Sequence, residues 1–410
     1  MNIDKTLEEL YSLTNMGIKL GLDNIKNILK LMGNPQNNYK ILHIAGTNGK
    51  GSTASILEAS LLEVGYKVGK YTSPHIEKFN ERIVVNRKQI SDEKICSYYQ
   101  KIRDLIKVNN LHPTFFEITT AIMFDYFKDC GCEYVVLETG LGGRFDATNV
   151  CHPEISIITN VSMDHINILG DNLSDIAREK CGIIKDSPVV IADSKPELIA
   201  AVEKKTKDYV DVIKKYNNVK FKLTEDFKTK IYIDNIEFNL SLYGEYQINN
   251  FLGAYEALKK IGISVQNIQN AVSKIYWPGR FEIYSKENPL IILDGAHNVD
   301  AASRLKENIL SKYKKADIVT IVSILEDKDR YGILKEISKF SDEIIFTSLE
   351  DFHRGTSGSE LLNLVPNFKD QKIEDNIIKA FDLAKKTKKI IVICGSFYLL
   401  SKFKKIIQMR

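Results

Sequence analysis

The pattern of apolar and polar positions divides the chain into alternating strands and helices. Short apolar runs are typical of strands buried on both faces, and segments with apolar residues three and four positions apart predict helices between them. Runs of the first kind occur at 40–45, around Val68, and at 134–137, 155–159, 189–192, 290–293, 318–322, 344–347 and 390–393. This alternation predicts an α/β fold with mostly parallel sheets.

Helical spacing also occurs before the first strand and between later ones. Residues 4–32 predict two amphipathic helices, split by Gly17 and Gly21, that pack on the first domain. Residues 172–181 predict another helix, for which Ser174 is a plausible N-cap because its hydroxyl can accept a hydrogen bond from a free backbone N–H.

Two segments interrupt the alternation and suggest how the chain is divided. Residues 219–242 alternate polar and apolar positions, and Asp234-Asn235 between two such runs favours an antiparallel hairpin. The segment 277–280 combines the only tryptophan with a Pro-Gly turn signal. We therefore predict a larger domain at 1–279 and a smaller one at 280–410.

Composition and charge indicate an ordinary globular protein without a nucleic-acid or membrane partner. Apolar residues make up 44% of the chain and charged residues 27%, and the net charge of +4 is small for 410 residues. No signal peptide or membrane-spanning run is visible, so we expect a cytoplasmic protein. The six cysteines lack zinc-like spacing and are expected to be free thiols.

The first candidate for chemistry is the glycine-rich turn between the strand at 40–45 and the helical segment after it. In the arrangement strand, glycine-rich turn, helix, backbone N–H groups can cradle a phosphate. Lys50 would supply a positive charge and Ser52 a hydroxyl near a metal ion. The match to the standard phosphate loop is imperfect, since Ile44 and Gly51 replace the usual glycine and Ser/Thr; an ordinary glycine-rich turn is the alternative.

Polar side chains also follow other predicted strands. Ser73, Glu138 and the pair Asp164-His165 each lie past the carboxyl end of an apolar run. The carboxyl ends of parallel strands lie along one edge of a sheet, where α/β proteins bind ligands. A carboxylate beside a phosphate loop suits nucleotide-bound magnesium. The alternatives are that Glu138 caps a helix or faces water and that His165 is structural.

The predicted second sheet repeats this arrangement. Residues 294–298 follow its first strand and Gly395-Ser396 its last, so a second ligand is expected at their carboxyl ends. Lys180 lies in the predicted helix at 172–181, and its helical context alone would make it a solvated lysine.

The specific motifs along the chain are Gly46-Thr-Asn-Gly-Lys-Gly-Ser52, Tyr71-Thr-Ser-Pro-His75, Leu137-Glu-Thr-Gly-Leu-Gly-Gly-Arg-Phe-Asp-Ala-Thr-Asn149, Asp164-His165, Pro278-Gly-Arg-Phe281 and Leu293-Asp-Gly-Ala-His-Asn298. Together they resemble the folylpolyglutamate synthase and bifunctional dihydrofolate synthase family of the muramyl ligase superfamily. The resemblance implies a P-loop ATP-binding domain, a smaller Rossmann-like domain and an active site between them. It also implies that ATP phosphorylates the γ-carboxylate of a folate and that the amino group of glutamate attacks the acyl phosphate.

The same resemblance implies a role for individual residues. ATP contacts are expected from Thr47, Asn48, Gly49, Lys50, Gly51, Ser52, Asn250, Arg280 and Asp294. Ligands of Mg²⁺ are expected to be Ser73, Glu138, His165 and, after carbamylation, Lys180. The pterin or pteroate portion is expected at Phe116, Glu117, Phe145, Asp146 and Ala147, and the incoming glutamate at Arg82, His297 and Ser396. The expected catalytic residues are Lys50, Lys180 and His297.

Three functional alternatives remain open at this point. The enzyme could only extend tetrahydrofolate with glutamates, or also add the first glutamate to 7,8-dihydropteroate. A muramyl-type amino acid ligase of cell-wall synthesis is a rival, although glycine at position 51 agrees with folate ligases. An ATP-hydrolysing switch protein is a rival from another class. The resemblance further implies small-molecule substrates, a monomer and a monovalent cation such as K⁺, which has no signature in the sequence.

Overall fold

The computed structural model describes residues 2–13, 21–350, 352 and 354–408. Its largest sheet has the strand order β4-β3-β2-β5-β1-β6-β7-β8. Six of these strands are parallel, and β3 and β4 are antiparallel at one edge. The strands are β1 Lys40–Ala45, β2 Val68–Tyr71, β3 Ile83–Val85, β4 Lys88–Gln89, β5 Tyr134–Glu138, β6 Ile155–Ile158, β7 Val189–Ile191 and β8 Tyr209–Asp211.

Helices cover both faces of this sheet, because successive side chains of a buried strand point to opposite faces. Leu42 and Ile44 of β1 pack into a core with α3, α10 and α11, whereas Ile41 packs into a core with α1, α2, α4 and α5. The helices are α1 Ile3–Ser12, α2 Asp23–Leu31, α3 Lys50–Val64, α4 Asp92–Val108, α5 Phe115–Asp129, α6 Ile166–Leu169, α7 Leu173–Lys180, α8 Pro196–Glu203, α9 Val212–Lys215, α10 Tyr246–Lys260 and α11 Val265–Val272.

A separate antiparallel sheet contains β9 Lys220–Leu223, β10 Thr229–Ile233 and β11 Ile236–Leu240. Asp234 and Asn235 both have positive φ, 48° and 65°. Two consecutive residues in this conformation form the type I′ turn that matches the twist of a hairpin. The predicted antiparallel hairpin is therefore confirmed.

The second α/β unit has a six-stranded sheet with the order β12-β13-β17-β14-β15-β16, in which only β12 is antiparallel among the described strands. Its strands are β12 Glu282–Ser285, β13 Ile291–Asp294, β14 Ile318–Val322, β15 Glu343–Phe346, β16 Gln371–Ile373 and β17 Ile390–Cys394. Its helices are α12 Val299–Leu310, α13 Arg330–Phe340, α14 Gly358–Leu364, α15 Ile377–Lys386 and α16 Phe397–Gln408. Two apolar cores lie on its opposite faces.

The predicted buried strands are confirmed to within one residue at either end, and the α/β class with mostly parallel sheets is confirmed. The predicted cap of α7 is wrong. The Asn172 side chain, not Ser174, accepts a hydrogen bond from the backbone N–H of Asp175 (2.9 Å). Gly17 lies outside the described residues. Within the described part of the chain, no helix is long and apolar enough to cross a membrane.

Candidate active site

The glycine-rich turn connects β1 to α3, and the side chain of Lys50 folds back over this turn. Lys50 Nζ donates hydrogen bonds to the carbonyl oxygens of Gly46 (3.0 Å) and Thr47 (3.1 Å). Burial lowers the pKa of Lys50, and the nearby Glu138 carboxylate opposes that shift. The ammonium group and the first backbone N–H groups of α3 thus lie where an anion would be bound.

The end of the neighbouring strand β6 holds this turn in place. Asn160 Oδ1 accepts a hydrogen bond from the backbone N–H of Asn48 (2.8 Å), and Thr159 Oγ1 donates to the Asn48 carbonyl (2.6 Å). Thr47 Oγ1 accepts from the backbone N–H of Ser162 (3.0 Å). The turn is therefore preorganised by side chains that belong to another strand.

Trp277 explains why glycine occupies position 51. A Cβ atom on Gly51 would lie 2.5 Å from Trp277 Cζ2, closer than real Cβ contacts. The sequence analysis used Trp277 only to mark a domain boundary. In the structure its ring packs on the first turn of α3. Gly49 similarly faces Asn250, whose Oδ1 would lie 2.1 Å from an added Cβ.

The structure places the predicted metal ligands around one cavity of about 150 Å³ with the glycine-rich turn. Glu138, at the end of β5, accepts a hydrogen bond from the backbone N–H of Ser73 (3.2 Å), and burial raises its pKa. His165 lines the same cavity, but Lys328 Nζ lies 3.2 Å from its Nε2. The donor set, a hydroxyl, a carboxylate and an imidazole, fits a cation whose coordination is completed by phosphate oxygens.

No group of three or more His, Cys, Asp or Glu side chains lies in metal-binding geometry among the described residues. An ion at this position would therefore need ligands in addition to Ser73, Glu138 and His165. Oxygen atoms of a bound nucleotide would supply them.

Lys180 is buried in the wall of the same cavity, 3% exposed, and is not the solvated lysine that its helical context suggests. Burial, with a smaller effect from Lys50, lowers its pKa to about 7. Close packing between the backbone at 143–144 and the end of α7 places Lys180 in this wall. A Cβ on Gly143 would lie 2.8 Å from the Lys180 carbonyl oxygen, and Arg144 N–H donates to the Glu179 carbonyl (2.8 Å).

The second α/β unit contributes Arg280, Asp294 and His297 to the same cavity. The Arg280 guanidinium lies over the Phe397 ring, 4.2 Å from its centroid. Burial raises the pKa of Asp294 to about 6, an effect that Arg280 opposes. His297 Nδ1 donates to the Gly295 carbonyl (2.8 Å), which leaves Nε2 without that proton and 4.0 Å from Asp164 Oδ2.

A second cavity of about 490 Å³ adjoins the first and has a more apolar wall. It is lined by all the residues predicted for the pterin portion and the glutamate, namely Phe116, Glu117, Phe145, Asp146, Ala147, Arg82, His297 and Ser396. Glu117 also closes the N-terminus of α5, accepting hydrogen bonds from Thr114 N–H (2.7 Å) and Oγ1 (3.0 Å). Asn250 lies apart from this group, in a groove of about 260 Å³ beside Asn48 and Gly49.

The sequence analysis missed Lys328 and Arg354 of the second unit and gave no individual role to Asn298, the last residue of the motif at 293–298. Lys328 Nζ donates to Asp164 Oδ1 (2.7 Å), and Lys328 and Arg354 both line the larger cavity. Asn298 Nδ2 donates to Asn48 Oδ1 (3.1 Å) and to Asp164 Oδ2 (3.1 Å). The available signal was Asp327-Lys328-Asp329, a charged cluster shortly after the end of β14.

Comparison with known proteins gives two family matches that together span most of the chain. The family Mur ligase middle domain matches residues 44–258, and the family Dihydrofolate synthetase, C-terminal domain matches residues 280–406. The chain is 34% identical to the dihydrofolate synthase/folylpolyglutamate synthase of Bacillus subtilis, over 97% of both chains.

Solved structures agree with that similarity. Escherichia coli FolC in complex with DHPP and ADP is 29% identical, with a TM-score of 0.85 over 99% of this chain and 98% of that one. The bifunctional folylpolyglutamate synthase/dihydrofolate synthase with Mn, AMPPNP and L-glutamate bound is also 29% identical, with a TM-score of 0.85 over 100% and 98%.

Proposed function

Since the chain belongs to the dihydrofolate synthase/folylpolyglutamate synthase family, we propose that it is an ATP-dependent ligase joining L-glutamate to the carboxylate of a pteroate or folate. One observation carries the assignment to these residues. The cavity of about 150 Å³ beside the glycine-rich turn (the phosphate-binding cavity) adjoins the cavity of about 490 Å³ (the aromatic cavity). The two share a wall that includes Ser73, His165 and His297. An acceptor in the aromatic cavity would therefore present its carboxylate to the terminal phosphate of ATP.

The first step is phosphoryl transfer from ATP to that carboxylate. Lys50 and the N-terminal N–H groups of α3 hold the terminal phosphates, and Arg280 adds a positive charge from the second domain. The nucleoside extends along the groove that contains Asn250. Because phosphoryl transfer depends mainly on positioning and charge neutralisation, a preorganised turn and buried cations are the features it needs.

In the second step the amino group of glutamate attacks the acyl phosphate and phosphate leaves. Lys328, Arg354 and, from the first domain, Arg82 offer cationic groups to the carboxylates of glutamate, and Ser396 offers a hydroxyl. His297 lies at the shared wall, where its unprotonated Nε2 can accept a proton from the attacking amine. A site enclosed by two domains keeps water from the labile intermediate.

We further propose that Ser73, Glu138 and His165 bind magnesium and that carbamylated Lys180 contributes a fourth ligand. The metal would neutralise charge on the transferring phosphate. His165 can bind a metal through Nε2 only if the Lys328 ammonium moves away from that atom. The carboxylate of a bound glutamate could draw Lys328 away. K⁺ is retained as a proposed additional cation.

The proposed division into domains 1–279 and 280–410 is supported by the six-stranded sheet, whose first strand begins at Glu282. We also propose that the enzyme is a monomer. We place the enzyme in the cytoplasm, where ATP and folates are available. The comparisons do not favour a muramyl-type ligase or an ATP-hydrolysing switch.

The test is phosphate release from ATP and magnesium with L-glutamate, comparing 7,8-dihydropteroate with tetrahydrofolate. Release with both acceptors means a bifunctional synthase, and release with tetrahydrofolate alone means a dedicated polyglutamate synthase. Lys50→Ala should remove release while the thermal unfolding profile is kept. Two outcomes contradict the proposal: phosphate release that requires neither acceptor nor glutamate, and the absence of phosphate release from protein shown to be folded.

A further inference from the structure

A buried chain of hydrogen bonds connects the centre of the large sheet to the Asp146 carboxylate. His43 lies on β1 and is paired with Leu137 on one side and Ser156 on the other. Its Nε2 lies 2.9 Å from Thr148 Oγ1, which in turn lies 2.5 Å from Asp146 Oδ1. His43 and Thr148 are completely buried, and the mechanism proposed above uses neither.

The donors and acceptors of this chain can have only one order if Asp146 is ionised. A carboxylate only accepts, so the Thr148 hydroxyl must donate to it and must itself accept from His43 Nε2–H. His43 Nδ1 is then an acceptor, and Cys151 Sγ lies 3.8 Å from it. Burial lowers the pKa of His43 to about 3 and raises that of Cys151 to about 12, which agrees with a neutral imidazole and a thiol.

The chain ends at a carboxylate that forms part of the acceptor cavity. Asp146 is 6% exposed and also accepts hydrogen bonds from the backbone N–H groups of Leu141 (2.8 Å) and Thr148 (3.0 Å). Burial raises its pKa, and the Thr148 hydroxyl is the strongest of the donors that oppose this. A threonine hydroxyl can rotate, so its direction depends on the group that donates to it, here the His43 imidazole on a central strand.

We infer that His43 is a positioning residue for the acceptor site: through Thr148 it directs the Asp146 carboxylate into the cavity wall. The inference rests on the proposed function for its substrate. Asp146 is already expected to contact the pterin portion, and the new element is that its orientation depends on His43 and Thr148.

The first test removes the middle hydroxyl with Thr148→Val and restores it with Thr148→Ser. Loss of one hydrogen bond to a charged group should raise KM for the acceptor about tenfold, with KM for ATP and glutamate changed less than about twofold. Because Asp146 loses a donor, its pKa rises, and the acidic limb of the pH profile for acceptor kcat/KM should move to higher pH. Thr148→Ser should restore both properties.

The second test concerns the histidine itself. His43→Leu should reproduce the effects of Thr148→Val, and His43→Gln, whose amide can donate to the hydroxyl, should restore part of the acceptor affinity. Equal losses for all three substrates in His43→Leu and Thr148→Val would mean a merely structural role. An unchanged acceptor KM and pH profile in Thr148→Val would also overturn the inference.

A measurement on the substrate-free enzyme separates this inference from the proposed function. NMR titration of the Asp146 carboxyl carbon in wild type and Thr148→Val reports its pKa directly, and nitrogen NMR reports which nitrogen of His43 carries the proton. A raised Asp146 pKa in the variant with no folate turnover by wild type would refute the proposed function alone. Folate turnover with an unchanged Asp146 pKa would refute the inference alone.

Discussion

Replacing Lys180 with methionine should make the folded protein more stable and inactive. The lysine is 3% exposed, and its pKa falls to about 7 from an ordinary value of 10.5. The folded state therefore binds this proton less tightly than the unfolded state. Methionine has a similar length and carries no charge, so Lys180→Met removes the cost of burying an ammonium group and also removes the amine that could form a carbamate.

The expected gain follows from that difference in pKa. At 1.36 kcal/mol per tenfold change, it amounts to about 5 kcal/mol below pH 7, where lysine is protonated in both states. Between pH 7 and 10.5 the unfolded state holds the proton and the folded state does not, so wild type becomes more stable by about 1.4 kcal/mol per pH unit. The advantage of Lys180→Met should thus shrink to about 2 kcal/mol at pH 9.

The assay is urea unfolding of both proteins at pH 6 and pH 9 in bicarbonate-free buffer, which keeps wild-type Lys180 unmodified. Lys204→Met is the matched control, because Lys204 is exposed at the end of α8 and should change stability by less than about 0.5 kcal/mol. The reasoning is refuted if Lys180→Met is no more stable than wild type at pH 6, or if its advantage does not decrease at pH 9.

Three further substitutions test contacts between segments that are distant in the sequence. Gly51→Ser places Cβ 2.5 Å from Trp277 Cζ2, so phosphate release should fall at least about tenfold, and adding Trp277→Leu should restore part of it. Asn298→Ala removes the side-chain hydrogen bonds to Asn48 and the N-cap of α12, so calorimetry should find ADP bound about tenfold more weakly and urea unfolding should find a loss of about 1 kcal/mol in stability. Lys328→Met removes a buried cation from the larger cavity, and KM for glutamate should rise about tenfold or more while KM for ATP does not; equal changes in both would contradict its assignment.

Parts of this site that depend on local backbone geometry were predictable from the sequence. A glycine-rich turn between a buried strand and a helix has few possible conformations, so the geometry of the turn at 46–52 follows from its own residues. Ser73, Glu138 and His165 could be brought together because parallel strands end at one edge of a sheet. Their convergence on one cavity depends only on topology, and topology follows from the alternation of strands and helices.

The remaining features depend on packing between distant segments. Lys328 reaches Asp164 across the domain interface, and no pattern around either residue indicates the other. The contact between Trp277 and Gly51 also joins segments far apart in the sequence, so no local pattern indicates it. Strands β8, β12 and β16 were not predicted, because edge strands that are partly exposed lack the apolar run that identifies a buried strand.

The burial of so many charges around one cavity indicates what a ligand must supply. The wall of one cavity holds four ionisable side chains, Lys50, Glu138, Asp294 and Lys180. Burial shifts the pKa of each in the direction that favours the neutral side chain. Lys50 offsets part of the shift of Glu138, and Arg280 offsets part of that of Asp294. A nucleotide polyphosphate and its metal would neutralise the charges that these pairs leave uncompensated. Fixed charges in a water-poor cavity interact strongly with an opposite charge. Since Arg280 and Asp294 belong to the second unit and Lys50 and Glu138 to the first, the same ligand would stabilise the contact between them.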